Sequence, residues 1–593
     1  MRDHGSAAPP RPQIGLVIGV AGHRAIDPAL VRPLADRCAD LLGQAAAAAR
    51  RVGGPDAPVT LLSQLAEGAD QLAADAARPH GIRVAAVLPF DRAIFADDFD
   101  GDARLRFDTH ADAVERLWSL PCTRDDGDSA YALAGSAMLG QADMLLALWD
   151  GGSSRGPGGT ADVVEEAIRR GIPVIHLPVD DAPPRLLWAG IDGVSARMLN
   201  HASVPSSPID ADAVDRLVVR LLSPPSAPAE QDALTHYLAE RERRIRWRIE
   251  YPAMLALARI RSITRAHVRP APFAQATRDE WASFRAGAEG LPSSEGALDV
   301  LERAFSWADR LADHYAQTYR SGVIFNYLAA ALAVLVALAG VVAPAAKPLL
   351  LTLELLLIGS LILNTAVGNR RQWHRRWLDY RLLAEQLRPM RSLKLLGAGT
   401  AVEGWSAGQN GPARWTDWYA ASIWREMGLP PTLGSAETAR ALTRHVLAEE
   451  IRPQLDYNRT NAHRMHRLDH RLHRAGTVLF WSTVLLSVVG LTGYALQLEI
   501  IGSASKWLTV LGAALPTLGA ALFGIRGQSD FAGASRRSTG TADRLARAAQ
   551  RLETDPITLP VITRAVEDAA ATMAADVGEW RTSYLDRKLA IPA

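Results

Sequence analysis

The sequence predicts an α/β N-terminal domain with a Rossmann-like parallel sheet, followed by an all-α membrane region with four transmembrane helices in two hairpins. In the first third of the chain, short apolar runs alternate with alanine-rich helical segments. Four longer apolar stretches follow in two pairs, and arginines are concentrated outside each pair. We expect six segments: a disordered N-terminus (1–12), a ligand-binding α/β domain (13–225), a helical connector (226–320), a first hairpin with a basic helix (321–400), a cytoplasmic helical segment (401–474) and a second hairpin with C-terminal helices (475–593).

Four apolar runs predict the buried strands of the α/β domain: IGLVIGVAG, RVAAVLPF, DMLLALWD and IPVIHLPVD. Continuous apolar runs are typical of strands covered on both faces, as in parallel sheets. Helical segments such as 28–51 and 66–77 lie between them, and this alternation predicts a doubly wound sheet. In such sheets, ligands bind at the carboxyl ends of the strands.

A glycine-rich loop, residues 150–160, joins the third of these strands to a helix. Its glycines allow close approach of the backbone, and the first amides of the helix point towards any anion, which suits a phosphate or a ribose. The chain contains no GKS or GKT sequence, so the loop is not a Walker A loop.

Two other loops carry suitable chemistry at predicted strand or helix ends. GVAGHR offers His23 and Arg24 as donors to phosphate. LAEGAD starts a helix, where acidic residues are also common for helix-dipole reasons alone. The candidate ligand-binding residues of the three loops are Gly22, His23, Arg24, Glu67, Gly68, Asp70, Asp150, Gly151, Gly158, Gly159, Thr160 and Glu165.

GVAGHR, LAEGAD and LWDG followed by GPGGT resemble the SLOG superfamily over residues 13–180. This Rossmann-like group is related to the DNA-processing A proteins and the Lonely Guy enzymes. The resemblance implies either nucleotide processing or the sensing of nucleotide-derived signals in bacterial conflict systems. It implies a nucleotide-like ligand of unknown identity; we expect no cofactor and no metal.

The chain departs from the Lonely Guy motif PGGxGTxxE, whose glutamate serves glycosidic cleavage. Val163 stands three residues after Thr160, and the first glutamate is Glu165. A catalytic acid or base must lie within hydrogen-bond reach of its proton, so the departure favours ligand sensing over catalysis. If the chain is a nucleotide N-glycosidase, Glu165 or Glu166 would act together with Arg24.

The four predicted spans are residues 323–342, 349–367, 477–498 and 507–525, each of which is long enough to cross a bilayer. They are apolar on every face, unlike surface helices, although helices buried in a large soluble core are the alternative. Glu354 lies in the second span. It either lines a pore or contacts another helix, or it is simply a protonated or snorkelling side chain. Pro516 in the fourth span predicts a tolerated kink.

The charged flanks predict the orientation of the hairpins. The connectors 343–348 and 499–506 carry one lysine each, whereas the outer flanks are rich in arginine. By the positive-inside rule, the flanks and both termini lie in the cytoplasm, and the chain is a multi-pass protein of the inner (cytoplasmic) membrane. The flanking arginines are Arg370, Arg371, Arg375, Arg376, Arg381, Arg388, Arg464, Arg467, Arg471 and Arg474.

Residues 321–394, two spans followed by WHRRWLDYRLLAEQLR, resemble the SLATT domains, two-helix membrane modules found beside SLOG sensors. The resemblance implies an effector that forms pores or perturbs the bilayer. The expected partners are the lipid bilayer, a small nucleotide-like ligand and further copies of the chain. The 65 basic and 64 acidic residues give a net charge of +1, so we expect no nucleic-acid binding.

Several further segments have alternative interpretations. ARWTDWYAASIWREM predicts an aromatic helix that packs on neighbours or rests at the membrane surface, rather than a base-stacking platform. Four histidines at 463–473 share a helix face, which favours contact with anionic lipid over metal binding or pH sensing. The basic stretch 229–261 either carries a signal to the first hairpin or packs on the sheet domain. Residues 286–297 predict a loop.

Three functions remain open from the sequence. The preferred hypothesis is a cytoplasm-facing sensor in bacterial defence whose ligand changes the packing of the hairpins. The second is a membrane-tethered nucleosidase or phosphoribohydrolase of Lonely Guy type. The third is a structural or transport protein whose glycine loops only form tight turns.

Overall fold

The computed structural model describes residues 8–154, 156–287, 295–397, 414–430, 435–497, 499–554, 558–584 and 589–592. In the N-terminal domain, the described strands are β1 (Leu16–Gly22), β2 (Val59–Ser63), β3 (Arg83–Leu88), β4 (Arg116–Ser119), β5 (Met144–Trp149), β6 (Val174–Pro178), β7 (Arg185–Leu187) and β8 (Ser206–Pro208). They form one sheet in the order β4-β3-β2-β1-β5-β6-β7-β8. Strands β1 to β6 are parallel, and β7 and β8 add an antiparallel edge. The predicted α/β fold is confirmed.

Helices cover both faces of this sheet. They are α1 (Pro28–Gly53), α2 (Ala69–Ala77), α3 (Arg92–Ala96), α4 (Gly101–Ala113), α5 (Asp128–Leu139), α6 (Thr160–Arg169) and α7 (Ala211–Leu222). Helix α1 begins where the Asp27 carboxylate accepts a hydrogen bond from the Ala29 amide, with Pro28 at the first helical position. Helices α1, α2 and α7 share a core on one face, and α5 and α6 pack on the other.

In the rest of the described chain, the regular secondary structure is helical. It contains α8 (Pro228–Leu238), α9 (Glu250–Leu257), α10 (Phe273–Gly287), α11 (Glu295–Val342), α12 (Lys347–Arg370), α13 (Trp373–Leu387), α14 (Met390–Leu396), α15 (Trp415–Glu426), α16 (Ala436–Val446), α17 (Arg452–Ala495), α18 (Glu499–Ser529), α19 (Phe531–Thr554) and α20 (Leu559–Tyr584). A π-helical turn, Leu447–Ile451, joins α16 to α17. The core on the α5–α6 face of the sheet continues into these helices.

Within the described parts of the chain, four helices are long and apolar enough to cross a membrane. The four predicted spans lie in α11, α12, α17 and α18. The third span, 477–498, is helical only as far as Ala495, where α17 ends; residue 498 lies outside the described residues. In the apolar window of α17, only 6% of the residues are buried inside the protein. Because such a large exposed apolar surface needs lipid around it, this is a membrane protein. Glu354 is half-buried in α12, and Pro516 lies inside α18.

Buried amides fasten the first hairpin, α11–α12, at the end nearest its arginine-rich flank. Asn326 Nδ2 donates to Thr365 Oγ1 at 2.9 Å, and Asn364 Nδ2 donates to Asn326 Oδ1 at 2.7 Å. Asn364 Nδ2 also reaches the carbonyl oxygen of Gly322 at 3.1 Å. Hydrogen bonds of this kind hold transmembrane helices together where apolar packing gives little preference over lipid.

The structure refines several segment predictions. The connector merges with the first span, because α11 continues from one to the other without a break. Residues 240–249 are not helical, so the basic stretch 229–261 is divided between α8 and α9. Of the predicted loop 286–297, residues 288–294 lie outside the described residues, and the flanking residues are helical.

Of the N-terminal segment predicted to be disordered, residues 1–7 lie outside the described residues. Residues 8–12 are described, and the Pro10 carbonyl oxygen accepts a hydrogen bond from Tyr419 Oη at 2.6 Å. The four histidines at 463–473 lie exposed along α17, where the rings of His466 and His470 are stacked with their centroids 6.2 Å apart.

Candidate functional site

The candidate site lies where β1 and β5 run side by side in the middle of the sheet. The chain leaves β1 for α1 on one face and leaves β5 for α6 on the other, so this is the topological switch point of the sheet. His23 N donates to the carbonyl oxygen of Leu148 at 3.1 Å. The structure therefore brings together the first and third predicted loops, although they are far apart in sequence.

His23 and Asp150 form the contact between those two loops. The Asp150 amide donates to His23 Nε2 at 3.1 Å. The Asp150 carboxylate oxygen Oδ1 lies 3.2 Å from the same Nε2 and accepts a hydrogen bond from the Gly152 amide at 2.8 Å. Asp150 thus folds its own loop, in the manner of an Asx turn. Gly151, with a φ of +80°, forms part of that turn.

The second predicted loop packs beneath the first. Gly68 has a φ of +86°, and a Cβ atom there would overlap the carbonyl oxygens of His23 and Arg24. A Cβ atom at Gly22 would overlap Ala69 at the start of α2. The Ala69 amide donates to the His23 carbonyl oxygen at 3.0 Å. Only glycine fits at these two positions, so the second loop packs directly against the first. Because the first loop also contacts the third through His23, the three loops adjoin one another.

The two acidic residues of the second loop have different environments. Asp70 is 5% exposed, and its Oδ2 accepts hydrogen bonds from Ser63 Oγ at 3.1 Å and from the Gln64 amide at 2.9 Å. Burial raises the pKa of Asp70 to about 6, against the lowering effect of these hydrogen bonds. Glu67 points away and pairs with Arg106 at 2.9 Å. Asp70 therefore braces the loop from within.

The third loop rests on α5 before it enters α6. Gly158 has a φ of +79°, and a Cβ atom there would lie 2.8 Å from the amide nitrogen of Ala132. Its own amide donates to Asp162 Oδ2 at 3.1 Å. Gly159 is the N-cap of α6, and Thr160 is the first residue of that helix. Since the Gly158 amide already donates to Asp162, an anion at this end of α6 would bind the other amides of the first turn.

Arg24 supplies an exposed positive charge at the site. It is exposed, and among the residues that the structure describes no carboxylate forms an ion pair with it. Its guanidinium lies 5.6 Å from the centroid of the Tyr131 ring, and Tyr131 Oη donates to Asp98 Oδ2 at 2.6 Å. Arg124 pairs with Asp98 and lies 4.7 Å from the centroid of the Phe90 ring. The sequence analysis did not find this neighbouring cluster, because its members come from three separate segments.

Both candidate catalytic glutamates have protein partners. Glu165 Oε1 lies 3.0 Å from His201 Nδ1, and its Oε2 lies 3.5 Å from Arg169. Glu166 pairs with Arg170, and its Oε1 accepts a hydrogen bond from Ser136 Oγ at 3.0 Å. These partners hold both carboxylates along the sides of α6.

The residue at the spacing of the family glutamate is buried. Val163 is 4% exposed, and its Cγ2 would lie 2.9 Å from a Cβ atom added at Gly135 in α5. The position is therefore an apolar helix–helix contact with little room for a carboxylate.

The helical region attaches near the amino end of the central strand β5, at the opposite end from the candidate site. The indole nitrogen of Trp424 in α15 donates to the carbonyl oxygen of Gly140 at 3.1 Å, just after α5 ends. Arg425 Nε donates to Asp143 Oδ1 at 2.7 Å, just before β5 begins. Trp415, Tyr419 and Trp424 are all less than 5% exposed. The aromatic helix therefore packs on its neighbours, as the preferred interpretation of its sequence predicted, and joins the two regions.

Comparison with known proteins gives a single family. Residues 303–399 match the family described as "Protein of unknown function (DUF4231)". The matching segment runs from the first part of α11 through α12 and α13 to just beyond α14. No curated protein matches the chain.

Proposed function

We propose that the protein is a membrane-anchored sensor and effector. In this proposal the sheet domain binds a nucleotide-derived signal at the switch point, and binding changes how the two hairpins pack in the bilayer. The hairpins then form a pore or perturb the membrane, in the manner expected of bacterial defence effectors that join SLOG-like and SLATT-like modules.

The observation that carries the proposal is the open guanidinium of Arg24 at the meeting point of three glycine-containing loops. A guanidinium that forms no ion pair with any described residue, on a loop that contacts the loop leading into α6, is suited to a phosphate group. The ring of Tyr131 beside it offers an apolar face to a base or a ribose. Such a site binds anions that carry a flat or sugar-like part.

Helix α5 offers a direct route from the ligand to the membrane region. Its first half carries Tyr131 and Ala132, which contact the ligand loops, and the residue after its end is Gly140, which holds Trp424. The helix has 12 residues and is about 18 Å long. A ligand can shift the hairpins only if it binds their two arrangements with different affinity. We propose that a small movement of α5 provides that difference.

The proposed orientation places the sheet domain and both termini in the cytoplasm. The arginine-rich flanks support it through the positive-inside rule. A cysteine placed at Ala345, in the connector of the first hairpin, should react with a membrane-impermeant maleimide from outside intact cells. A cysteine at Ala8 should react only after lysis. The opposite labelling pattern would refute this orientation.

Ligand binding is tested on the full chain in detergent, with a panel of cyclic dinucleotides and cyclic ADP-ribose variants. We expect at least one of them to raise the unfolding temperature and to cause leakage of liposomes that contain the protein. Arg24→Gln should abolish both effects, whereas Arg32→Gln, on an exposed face of α1, should retain them. The absence of a response to every ligand of the panel would remove the main support for the proposal.

A second candidate function is hydrolysis of a nucleotide N-glycosidic bond. The observation that favours it is the contact of Glu165 with His201, whose ring meets the edge of Trp149 with the centroids 5.4 Å apart. Release of free base from nucleoside monophosphates, lost in Glu165→Gln and retained in Glu166→Gln, would establish it.

A further inference from the structure

A polar cavity of about 190 Å³ lies among the helices next to the two hairpins, outside the four spans. Its walls come from helices of both hairpins and from the helices that follow them. They comprise residues 312–320 of α11, 377–385 of α13, 454–461 of α17, 534–541 of α19 and residue 573 of α20. The cavity is therefore a place where one small molecule would touch both hairpins.

Two of the charged groups in its wall are neutralised within the protein. Arg381 pairs with Glu385, and its Nη1 lies 3.5 Å from Asp309. Arg537 pairs with Asp530 at 3.2 Å. Because each of these arginines is paired with a carboxylate of the protein, neither offers much net charge to a ligand.

Two other charged groups in the wall, Asp313 and Arg320, have no ion pair with any residue that the structure describes. They lie two turns apart on α11. The Arg320 guanidinium is 4.7 Å from the centroid of the Trp377 ring and donates to Tyr251 Oη at 3.3 Å. Asp313 is an exposed residue and lines the cavity. One carboxylate and one guanidinium thus line the same cavity, which is partly open to solvent.

A buried hydroxyl on α19 also lacks a partner. Thr541 is 2% exposed, and its Oγ1 has no hydrogen-bond partner among the described residues. A buried hydroxyl in this state costs free energy unless something else satisfies it. One turn earlier, by contrast, Ser538 Oγ accepts a hydrogen bond from Asn461 Nδ2 at 2.9 Å. Thr541 is therefore the group in this wall that a bound molecule would complete.

We propose that this cavity binds a small zwitterion, a molecule with one ammonium and one carboxylate group. The ammonium faces Asp313, the carboxylate faces Arg320, and Thr541 donates or accepts a hydrogen bond. The volume lies below the roughly 300 Å³ at which pockets for drug-sized ligands begin, so a molecule of amino-acid size fits better than a dinucleotide. The site is independent of the switch point in the sheet domain, and its occupancy favours one packing of the two hairpins.

The first test uses the full chain in lipid nanodiscs with glycine, L-serine and L-glutamine as probes. Acetate and ethylammonium serve as half-ligands with only one of the two charges. We expect at least one amino acid to raise the unfolding temperature, with no comparable shift from either half-ligand. The proposal is overturned if no amino acid has an effect, or if acetate or ethylammonium alone reproduces it.

The second test places the ligand in the cavity. Thr541→Val keeps the side-chain shape and should weaken amino-acid binding by about 3- to 10-fold. Thr539→Val, on the exposed side of the same helix, should leave binding unchanged. Asp313→Asn should weaken binding at least about 10-fold, and it tests the site independently if the valine variant fails to fold. Unchanged affinity in Thr541→Val and Asp313→Asn would overturn the assignment.

Discussion

Lys394 Nζ donates a hydrogen bond to Gln141 Oε1 at 2.7 Å, and this contact joins α14 to the sheet domain at a point closed to solvent. The amine also lies 3.7 Å from the centroid of the Trp424 ring. Burial lowers the pKa of Lys394 well below its usual range, and the positive charge of Arg116 lowers it further. The junction between the two regions therefore contains a lysine whose charge the folded state disfavours.

Lys394→Met should remove a pH dependence of stability at alkaline pH. Because the pKa is lowered in the folded state, the unfolded chain binds more protons below its own pKa of about 10.4. The free energy of unfolding of the wild type therefore rises as the pH increases towards that value, and the rise is lost in the variant. Unfolding temperatures at pH 7 and pH 9.5 in detergent measure the difference. An equal rise in both proteins would contradict the prediction.

Arg425→Met should loosen the attachment of α15 to the sheet. The Asp143 carboxylate would lose its partner and keep only the Val17 amide, which donates to its Oδ2 at 2.9 Å. Breaking a buried pair costs about 3 kcal/mol or more. We expect faster hydrogen exchange in β1 and α15, retained ligand binding and a lost membrane response.

The matched control for this prediction is Arg452→Met. Its ion pair with Glu553 is about half exposed, so the cost should be below about 1 kcal/mol. Similar exchange rates in Arg425→Met and Arg452→Met would show that the pair with Asp143 does not hold the junction.

Gly68→Ala should disorganise the ligand loops, whereas Gly54→Ala should not. Both glycines have a positive φ, so both substitutions strain the backbone by about 1–3 kcal/mol. A methyl group at position 54 meets no other atom within 4 Å, but at position 68 it overlaps the backbone of His23 and Arg24. Only Gly68→Ala should abolish ligand-dependent thermal shifts. Equal loss in both variants would mean that backbone strain alone explains the effect.

Asp70→Asn should remove a pH dependence of stability at acidic pH. The folded state keeps the Asp70 proton up to a pKa of about 6, whereas the unfolded chain releases it near 4. Between these values the folded state binds more protons, so the free energy of unfolding falls as the pH rises, by about 3 kcal/mol in total. The variant should lack this fall when unfolding is followed from pH 4 to pH 7. A wild type that gains stability relative to Asp70→Asn over that range would contradict the sign.

The sequence predicted the fold class because its signals are local. Short continuous apolar runs such as those of β1 and β5, set between helical segments, are typical of buried parallel strands, and a span is recognised from its length and hydropathy. The strands β2, β4, β7 and β8 were not predicted; β4, β7 and β8 have only three or four residues, which carry too little pattern. The order of the parallel strands then brought the first and third predicted loops together at the carboxyl ends of the central strands β1 and β5.

The finer features of the site depend on tertiary contacts that a single sequence does not contain. Asp70 has the residue type of a ligand contact, but its hydrogen bonds to Ser63 and Gln64 show a bracing role. Tyr131 lies 107 positions from Arg24 in the numbering, yet their side chains meet. Likewise, Thr541 shows no special signal in sequence, and only its burial beside a cavity distinguishes it.

Helix α11 is one uninterrupted rod of 48 residues, about 72 Å from end to end. About half of it belongs to the helical region outside the four spans, and the other half contains the first span, with no break between them. It can therefore work as a lever with its fulcrum near the membrane surface. A tilt of about 10° about its midpoint would move each end by about 6 Å, in opposite directions. A displacement of the end outside the membrane would consequently move the end inside the bilayer by the same distance in the opposite direction.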